Sequence, residues 1–123
     1  MLRALVTGAT GLLGYHVFLR LRVQGCEVRA LVRDSVAARW LGEKGAALIT
    51  GDATNGDSVR AAAAQVDVIF HCAAVIKSTG GWDAYRRINI EGTENVIAAA
   101  RSNGARLVHA SSVAVYGSGA RHR

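Results

Sequence analysis

The chain has 123 residues, half of them hydrophobic, and a formal charge of +6 at pH 7. This length and hydrophobic content predict one domain with a substantial buried core. The basic residues are scattered and lack the interleaved aromatic residues of a nucleic-acid interface, so the excess charge favours an anionic small molecule as the partner.

Cysteine usage and hydropathy predict a cytoplasmic protein. Cys26 and Cys72 are far apart and form no metal-binding pair, so we expect reduced thiols and predict no metal site. The first residues enter a strand pattern at once, and no run of about 18 apolar residues follows. We therefore expect no contact with a membrane.

Apolar runs and helical patterns alternate along the whole chain. The apolar runs predict five strands, at 2–6, 27–33, 47–50, 67–71 and 106–110. Helical spacing and capping residues predict helices at 12–24, 57–65 and 82–102. A further short helix is predicted to start at a cap at 34–35 and to end at 41. The residues of helix 12–24 expected to face the sheet are Leu13, Val17, Phe18 and Leu21. Gly92, inside the last helix, is expected to pack closely on the sheet.

This alternation predicts an α/β fold. Right-handed crossovers between parallel strands give a Rossmann-like doubly wound sheet of five strands in the order 3-2-1-4-5, truncated after strand five. Residues 1–117 form the predicted dinucleotide-binding domain, and 118–123 are expected to form a loose tail. Ligands of such sheets bind at the carboxyl ends of the strands, between strands one and four.

A glycine turn, Thr7-Gly8-Ala9-Thr10-Gly11-Leu12-Leu13-Gly14, joins strand one to helix one with the spacing G-x-x-G-x-x-G. A helix that begins after such a turn presents unpaired N–H groups and its positive dipole end to a phosphate. Gly8 is expected to make the tight turn, Gly11 to let the backbone approach a pyrophosphate, and Gly14 to let helix and strand pack closely. The alternative is a turn that the glycines close without any ligand.

The end of strand two bears on the choice of dinucleotide. An acid at this position binds the ribose 2′-OH of NAD, whereas an Arg accommodates the 2′-phosphate of NADP. The guanidinium of Arg33 suits a phosphate, while Asp34 stands one position late for the ribose and could cap the next helix. We therefore predict NADP over NAD at about two to one. The alternative for Arg33 is a solvated surface charge.

Polar or small residues also follow the other strands. Asp52 could accept a hydrogen bond from an adenine amino group or cap its own loop. Cys72-Ala73-Ala74 would let the backbone lie against a cofactor or pack a tight loop. His71 is better explained as a hydrogen-bonded core residue than as a catalyst. Asn89 could fix the backbone near the strand ends or face solvent, and Ser112 could bind a substrate oxygen or stabilise a turn.

These segments together resemble one known family. They are the glycine turn, Gly51-Asp52, His71-Cys72-Ala73-Ala74, Asn89-Ile90-Glu91-Gly92-Thr93 and Ser111-Ser112-Val113-Ala114-Val115-Tyr116-Gly117. In this order they resemble the extended short-chain dehydrogenase/reductases, also called the NAD-dependent epimerase/dehydratase family. The strand-two segment at 28–34 is similar to the branch with dihydroflavonol-reductase-like, 3β-hydroxysteroid-dehydrogenase-like and hopanoid-associated epimerase-like members.

The resemblance implies a site built around a dinucleotide. Its cofactor-binding glycine turn would comprise Gly8, Thr10, Gly11, Leu12, Leu13 and Gly14. Arg33 would meet the 2′-phosphate, and Asp52 with Ala53 would meet the adenine. The small residues approaching the ribose would be Cys72, Ala73 and Ala74. Asn89 would brace the site, and Ser112 matches the catalytic serine that holds the reacting oxygen.

The implied activity is hydride transfer at a hydroxyl or carbonyl of a nucleotide-sugar, steroid-like or flavonol-like substrate. The family's base is the tyrosine of a Tyr-x-x-x-Lys pair, in which the lysine lowers the tyrosine's pKa. No such pair occurs here, because the residues four positions after the three tyrosines are Leu19, Asn89 and Ala120. The 123-residue chain is therefore expected to be inactive by itself.

Three interpretations stay open. The first is the amino-terminal, cofactor-binding half of an oxidoreductase, epimerase or dehydratase. The second is a non-catalytic module that senses NADP(H), and the third is a subunit completed by another chain. A homodimer through helix 82–102 is the expected assembly.

Overall fold

Five parallel strands form one sheet in the order β3-β2-β1-β4-β5. They are β1 Arg3–Thr7, β2 Glu27–Val32, β3 Ala47–Thr50, β4 Val68–His71 and β5 Arg106–His109. The computed structural model describes residues 1–74 and 80–112. The strand order and parallel pairing confirm the predicted Rossmann-like topology.

Some predicted features lie outside the described residues. They are the end of the serine segment at 113–117, the domain boundary at 117 and the tail at 118–123. These features stay predictions.

Helices pack on both faces of the sheet. They are α1 Leu12–Val23, α2 Arg39–Glu43, α3 Gly56–Ala62, α4 Gly81–Tyr85 and α5 Gly92–Asn103, with a π-helical segment, Arg86–Glu91, between α4 and α5. Helix α4, the π-helical segment and α5 follow one another without a break. The predicted helix 82–102 is therefore present, with a change of hydrogen-bonding pattern inside it. Within the part of the chain that the structure describes, no helix has the length and apolar character needed to cross a membrane.

Alternation of side chains along the strands produces two cores, one on each face of the sheet. The first core contains Val6, Val28, Phe18 and Leu41, from β1, β2, α1 and α2. The second contains Leu5, Ile69, Val59 and Val96, from β1, β4, α3 and α5. Because β1 is covered on both faces, the turn that follows it starts from a fixed point.

The buried face of α1 differs from the prediction. Gly14, Phe18 and Leu21 are buried, whereas Leu13 is 54% exposed. A Cβ added to Gly14 would lie 2.0 Å from the Gly8 carbonyl oxygen, so Gly14 faces the preceding turn. Successive helical residues are rotated by about 100°. Turning Gly14 inward therefore carries Leu13 out to solvent.

The helix after β2 begins later than predicted. Asp34 Oδ1 accepts hydrogen bonds from the backbone N–H groups of Val36 at 3.0 Å and Ala37 at 3.1 Å. These bonds close a tight turn of the kind that Asp side chains form with their own backbone. Regular helix starts only at Arg39. Asp34 thus caps the turn that leads into α2.

The prediction that Gly92 packs on the sheet is wrong. A Cβ added to Gly92 would lie 3.5 Å from Ala53 Cβ, in the loop that follows β3. Asn95 contacts the same loop, because its Nδ2 donates to the Ala53 carbonyl at 2.8 Å. The start of α5 therefore braces the loop that carries Asp52 and Ala53.

Candidate functional site

A groove of about 780 Å³ opens along the carboxyl ends of the strands. It spans the place between β1 and β4 where the strand order reverses, which is where ligands bind in doubly wound sheets. Its volume is typical of a site for a small molecule or cofactor. The predicted cofactor-binding residues that line it are Gly8, Thr10, Gly11, Arg33, Asp52, Ala53, Cys72, Ala73 and Ala74.

The other predicted site residues lie outside this lining. Leu12 and Leu13 are exposed on the first turn of α1, and Gly14 is buried behind the glycine turn. Asn89 belongs to the π-helical segment. Ser112 is exposed and follows β5, the outermost strand. The sheet thus brings the ends of β1, β2, β3 and β4 together at the groove without bringing Ser112 into its wall.

The glycine turn is packed too tightly for side chains at two of its positions. Gly8 has φ +71°, and a Cβ added there would lie 2.7 Å from the Ala73 nitrogen. Gly14 meets the Gly8 carbonyl, as described above. At Gly11, by contrast, an added Cβ would reach 3.4 Å from Gly8 O and otherwise project into open space. Gly11 N–H donates to Gly8 O at 3.0 Å, so the turn is closed and its outer surface is free for a phosphate.

At the β2 end of the groove lie Arg33 and an aromatic residue that the sequence analysis missed. Trp40 of α2 lines the groove and is 40% exposed. Its ring meets Tyr15 edge-on, with 5.4 Å between ring centroids. The sequence shows only an aromatic residue seven positions after Arg33, which by itself predicts neither exposure nor a place in the groove.

Asp52 is engaged in its own loop. Its Oδ1 accepts from Thr54 N–H at 2.9 Å, and its backbone N–H donates to Ser58 Oγ at 3.0 Å. These are the contacts of the loop-capping alternative. They hold the Asp52 carboxylate in the wall of the groove, where an adenine amino group would approach in the other interpretation.

Beneath the groove, Thr7 and His71 form a buried hydrogen-bond network. Thr7 Oγ1 accepts from the backbone N–H groups of Cys72 at 3.1 Å and Ala73 at 3.2 Å. The Cys72 N–H is shared with the Thr7 carbonyl oxygen, 3.2 Å away. Because both N–H donors face the hydroxyl oxygen, its own proton is directed to His71 Nδ1, 2.7 Å away. His71 therefore accepts at Nδ1 and carries its own proton on Nε2.

The imidazole extends this network to the last helix. His71 Nε2–H donates to Thr93 Oγ1 at 3.1 Å, and the Thr93 hydroxyl donates to the Asn89 carbonyl at 2.7 Å. Burial, followed by the charge of nearby His109, lowers the pKa of His71 to about 4, so the ring is neutral at pH 7. These contacts confirm the prediction that His71 is a hydrogen-bonded core residue.

The thiol and metal chemistry of the site is limited. Burial raises the pKa of the Cys72 thiol, which keeps it protonated at pH 7. Among residues 1–74 and 80–112, no cluster of three or more His, Cys, Asp or Glu side chains could hold a metal ion. The described lining of the groove instead offers small residues, backbone N–H groups and the guanidinium of Arg33, which are groups that bind a dinucleotide.

The sheet order, the glycine turn and the groove define a Rossmann-type dinucleotide-binding domain. Residues 4–123 match the model of the NAD dependent epimerase/dehydratase family. The chain belongs to that family.

Two curated relatives illustrate its place in the family. The chain is 38% identical over 119 residues to a 4-hydroxy-2-methyl-3-oxo-4-farnesyl-3,4-dihydroquinoline-1-oxide ketoreductase from Stigmatella aurantiaca, a match that covers 96% of this chain and 36% of the relative. It is 36% identical over 121 residues to a 3-beta-hydroxysteroid dehydrogenase from Mycolicibacterium neoaurum, covering 92% and 32%. The chain thus spans about a third of the length of these relatives.

A solved structure agrees with the fold. It is a short-chain dehydrogenase/reductase superfamily protein from Agrobacterium tumefaciens with bound NAD. The TM-score is 0.79 at 31% identity, over 94% of this chain and 34% of that one. The similarity therefore covers nearly all of this chain and only part of the larger protein.

Proposed function

We propose that this chain is the cofactor-binding portion of an NADP-linked oxidoreductase, epimerase or dehydratase. The observation that carries the proposal is the closed glycine turn at the mouth of the groove, where Gly11 leaves room for a pyrophosphate. Bound nicotinamide would supply or accept a hydride at a hydroxyl or carbonyl carbon. The named activities of the two relatives, a ketoreductase and a steroid dehydrogenase, support this reaction class. Nucleotide-sugar, steroid-like and flavonol-like compounds are the proposed substrates.

The contacts at the end of β2 support NADP over NAD. Arg33 is exposed in the groove lining, and within the described residues no ion pair engages its guanidinium. Asp34 is the acid that could bind a ribose 2′-OH. Its Oδ1 already accepts two backbone hydrogen bonds in the turn before α2. An exposed guanidinium next to a carboxylate that already accepts two hydrogen bonds at Oδ1 favours a 2′-phosphate, to which Arg can donate two parallel hydrogen bonds.

Arg33→Ala tests this preference directly. We expect the wild-type chain to bind 2′,5′-ADP about tenfold or more tightly than 5′-AMP, since hydrogen bonds to charged groups contribute about 1.5–3 kcal/mol. Arg33→Ala should remove that difference and leave 5′-AMP binding unchanged. Isothermal titration calorimetry measures both affinities. Arg39→Ala, which removes an exposed arginine paired with Glu43 on α2, is the matched control. Equal affinities for the two ligands in wild type and Arg33→Ala would exclude the preference for NADP.

The remaining residue roles are proposed from the family resemblance. Leu12 and Leu13 would cover the pyrophosphate from the first turn of α1, and Asn89 would brace the site from the π-helical segment. Ser112 would hold the reacting oxygen of the substrate. Because the 123 residues contain no Tyr-x-x-x-Lys pair, we propose that this chain binds cofactor without turnover.

The helix that begins at Gly81 supports a homodimer. Trp82, Ile90 and Ile97 are exposed along it, and exposed large apolar side chains favour contact with a second copy. The proposed partner is a second copy of this chain, in a cytoplasmic setting. Sedimentation velocity over a range of protein concentrations tests the pairing, and a monomer at every concentration would exclude it.

A further inference from the structure

A directed chain of hydrogen bonds links the glycine-turn end of the groove to the π-helical segment. It runs from the backbone N–H groups of Cys72 and Ala73 to the Thr7 hydroxyl, then to His71 and Thr93, and it ends at the Asn89 carbonyl. Each hydroxyl has one proton, and the two N–H donors fix the direction of the first. The donor and acceptor roles of His71 and Thr93 follow from the direction of the Thr7 hydroxyl.

The segment at the far end of this chain forms part of the groove. Ile88, in the π-helical segment, lines the groove together with Cys72, Ala73 and Ala74. Arg86 and Glu91 form an ion pair across the same segment, consistent with its wider turns. π-Helical turns are rare and occur often at functional sites. A contact from outside the helix is suited to hold this segment in place.

His71 is suited to that task. It is 1% exposed, and it is the last residue of β4, paired in register with Thr7 of β1. Its Nε2 contacts Thr93, one turn beyond Asn89 and outside the π-helical segment. An apolar side chain would fill the same space but would not fix the direction in which the Thr93 hydroxyl points. A hydrogen bond of defined direction does so.

We propose that His71 and Thr93 form a positioning pair that sets the rotation of the π-helical segment and thereby places Ile88 in the groove wall and Asn89 beside it. This inference rests on the proposed function, because the groove must hold a dinucleotide for the placement to affect binding. The pair acts near the ends of β1 and β4, whereas Arg33 and Trp40 lie at the β2 end. Its loss should therefore affect a whole dinucleotide more than a ligand that occupies the β2 end alone.

Thr93→Val tests the pair by removing one hydroxyl at constant shape. We expect NADP⁺ affinity to fall on the order of tenfold, as for one unpaired buried donor, while 2′,5′-ADP affinity changes less than about twofold. Thr93→Ser should restore the wild-type affinity for NADP⁺. Ser102→Ala is the matched control, because Ser102 makes the same kind of bond within α5, to the Ala98 carbonyl, away from the groove. Calorimetry with both ligands provides the comparison.

Each other outcome overturns the inference. An equal loss for NADP⁺ and 2′,5′-ADP in Thr93→Val would indicate a general structural role, and no loss for either would mean that the pair does not position the segment. A wild-type chain that binds neither ligand would exclude the proposed function and this inference with it.

The tautomer of His71 provides a second measurement that needs no variant. Imidazole ¹⁵N chemical shifts of the wild-type chain at pH 7 should show a neutral ring protonated at Nε2. Protonation at Nδ1 would leave Nε2 without a proton to donate to Thr93, whose own proton goes to the Asn89 carbonyl. That result would contradict the pair even if Thr93→Val does not fold.

Discussion

Gly14→Ala is expected to destabilise the fold by pushing helix α1 away from the glycine turn at residues 8–9. The new Cβ would lie 2.0 Å from the Gly8 carbonyl oxygen and 2.9 Å from the Ala9 Cα. Both atoms belong to the backbone, so no side-chain rotation relieves the clash. Overpacking of this kind costs about 3 kcal/mol or more, well above the 1 kcal/mol that Ala gains over Gly in a helix. Urea denaturation monitored by circular dichroism measures the loss.

Gly11→Ala is the matched control for that variant. It also places a Cβ in the glycine turn, but the nearest atom would be Gly8 O at 3.4 Å and the backbone at Gly11 is extended, with φ −85°. We expect its free energy of unfolding to fall by less than about 1 kcal/mol. Its added methyl group would lie where the pyrophosphate approaches, so nucleotide affinity should fall although the fold is kept. Equal stability of Gly14→Ala and Gly11→Ala would contradict the packing of this turn.

Thr7→Val is expected to lower the free energy of unfolding by about 3 kcal/mol. Val has the shape of Thr, so packing in the core is preserved. The substitution removes the oxygen that accepts from Ala73 N–H and takes the donor from His71 Nδ1, whereas Cys72 N–H keeps the Thr7 carbonyl oxygen as an acceptor at 3.2 Å. A buried polar atom left without a partner costs about 1–3 kcal/mol, which is about twice the net contribution of the hydrogen bond itself.

Thr50→Val controls for the loss of a hydroxyl at a strand end. Thr50 is also the last residue of its strand, β3, but its side chain is exposed, so its hydroxyl can be replaced without burying an unpaired group. We expect its unfolding midpoint in urea to stay within experimental error of the wild-type value. A Thr7→Val variant as stable as Thr50→Val would mean that Thr7 does not organise the loop after β4.

The sequence predicted the positions along the chain better than the orientations of side chains. Strand β3 was predicted at its observed bounds, and the order of the whole sheet was predicted because alternation and right-handed crossovers leave few choices. Leu13 was assigned to the buried side of α1 because helical spacing alone makes it equivalent to Val17. Only the clash between Gly14 and Gly8 settles the rotation of that helix.

The roles of the two aspartates illustrate a different limit. Position after a strand is compatible both with ligand binding and with capping, so the sequence left Asp34 and Asp52 open. The structure adds the N–H groups of Val36, Ala37 and Thr54 as partners. Regular helical spacing put Ile88 on the apolar side of the predicted helix 82–102, together with Val96 and Ala99. Its place in the groove was not predicted, because a π-helical segment shifts residues away from the positions that regular helical spacing gives.

By itself, the sequence determined the α/β class, the strand order and the glycine turn, since hydrophobic periodicity and glycine spacing act over a few residues. Only the tertiary structure decided how Thr7, His71 and Thr93 meet. These residues are far apart in the chain, and the parallel register of β1 with β4 places Thr7 opposite His71. The direction of their hydrogen bonds then depends on the number of donors around one hydroxyl, which no local pattern encodes.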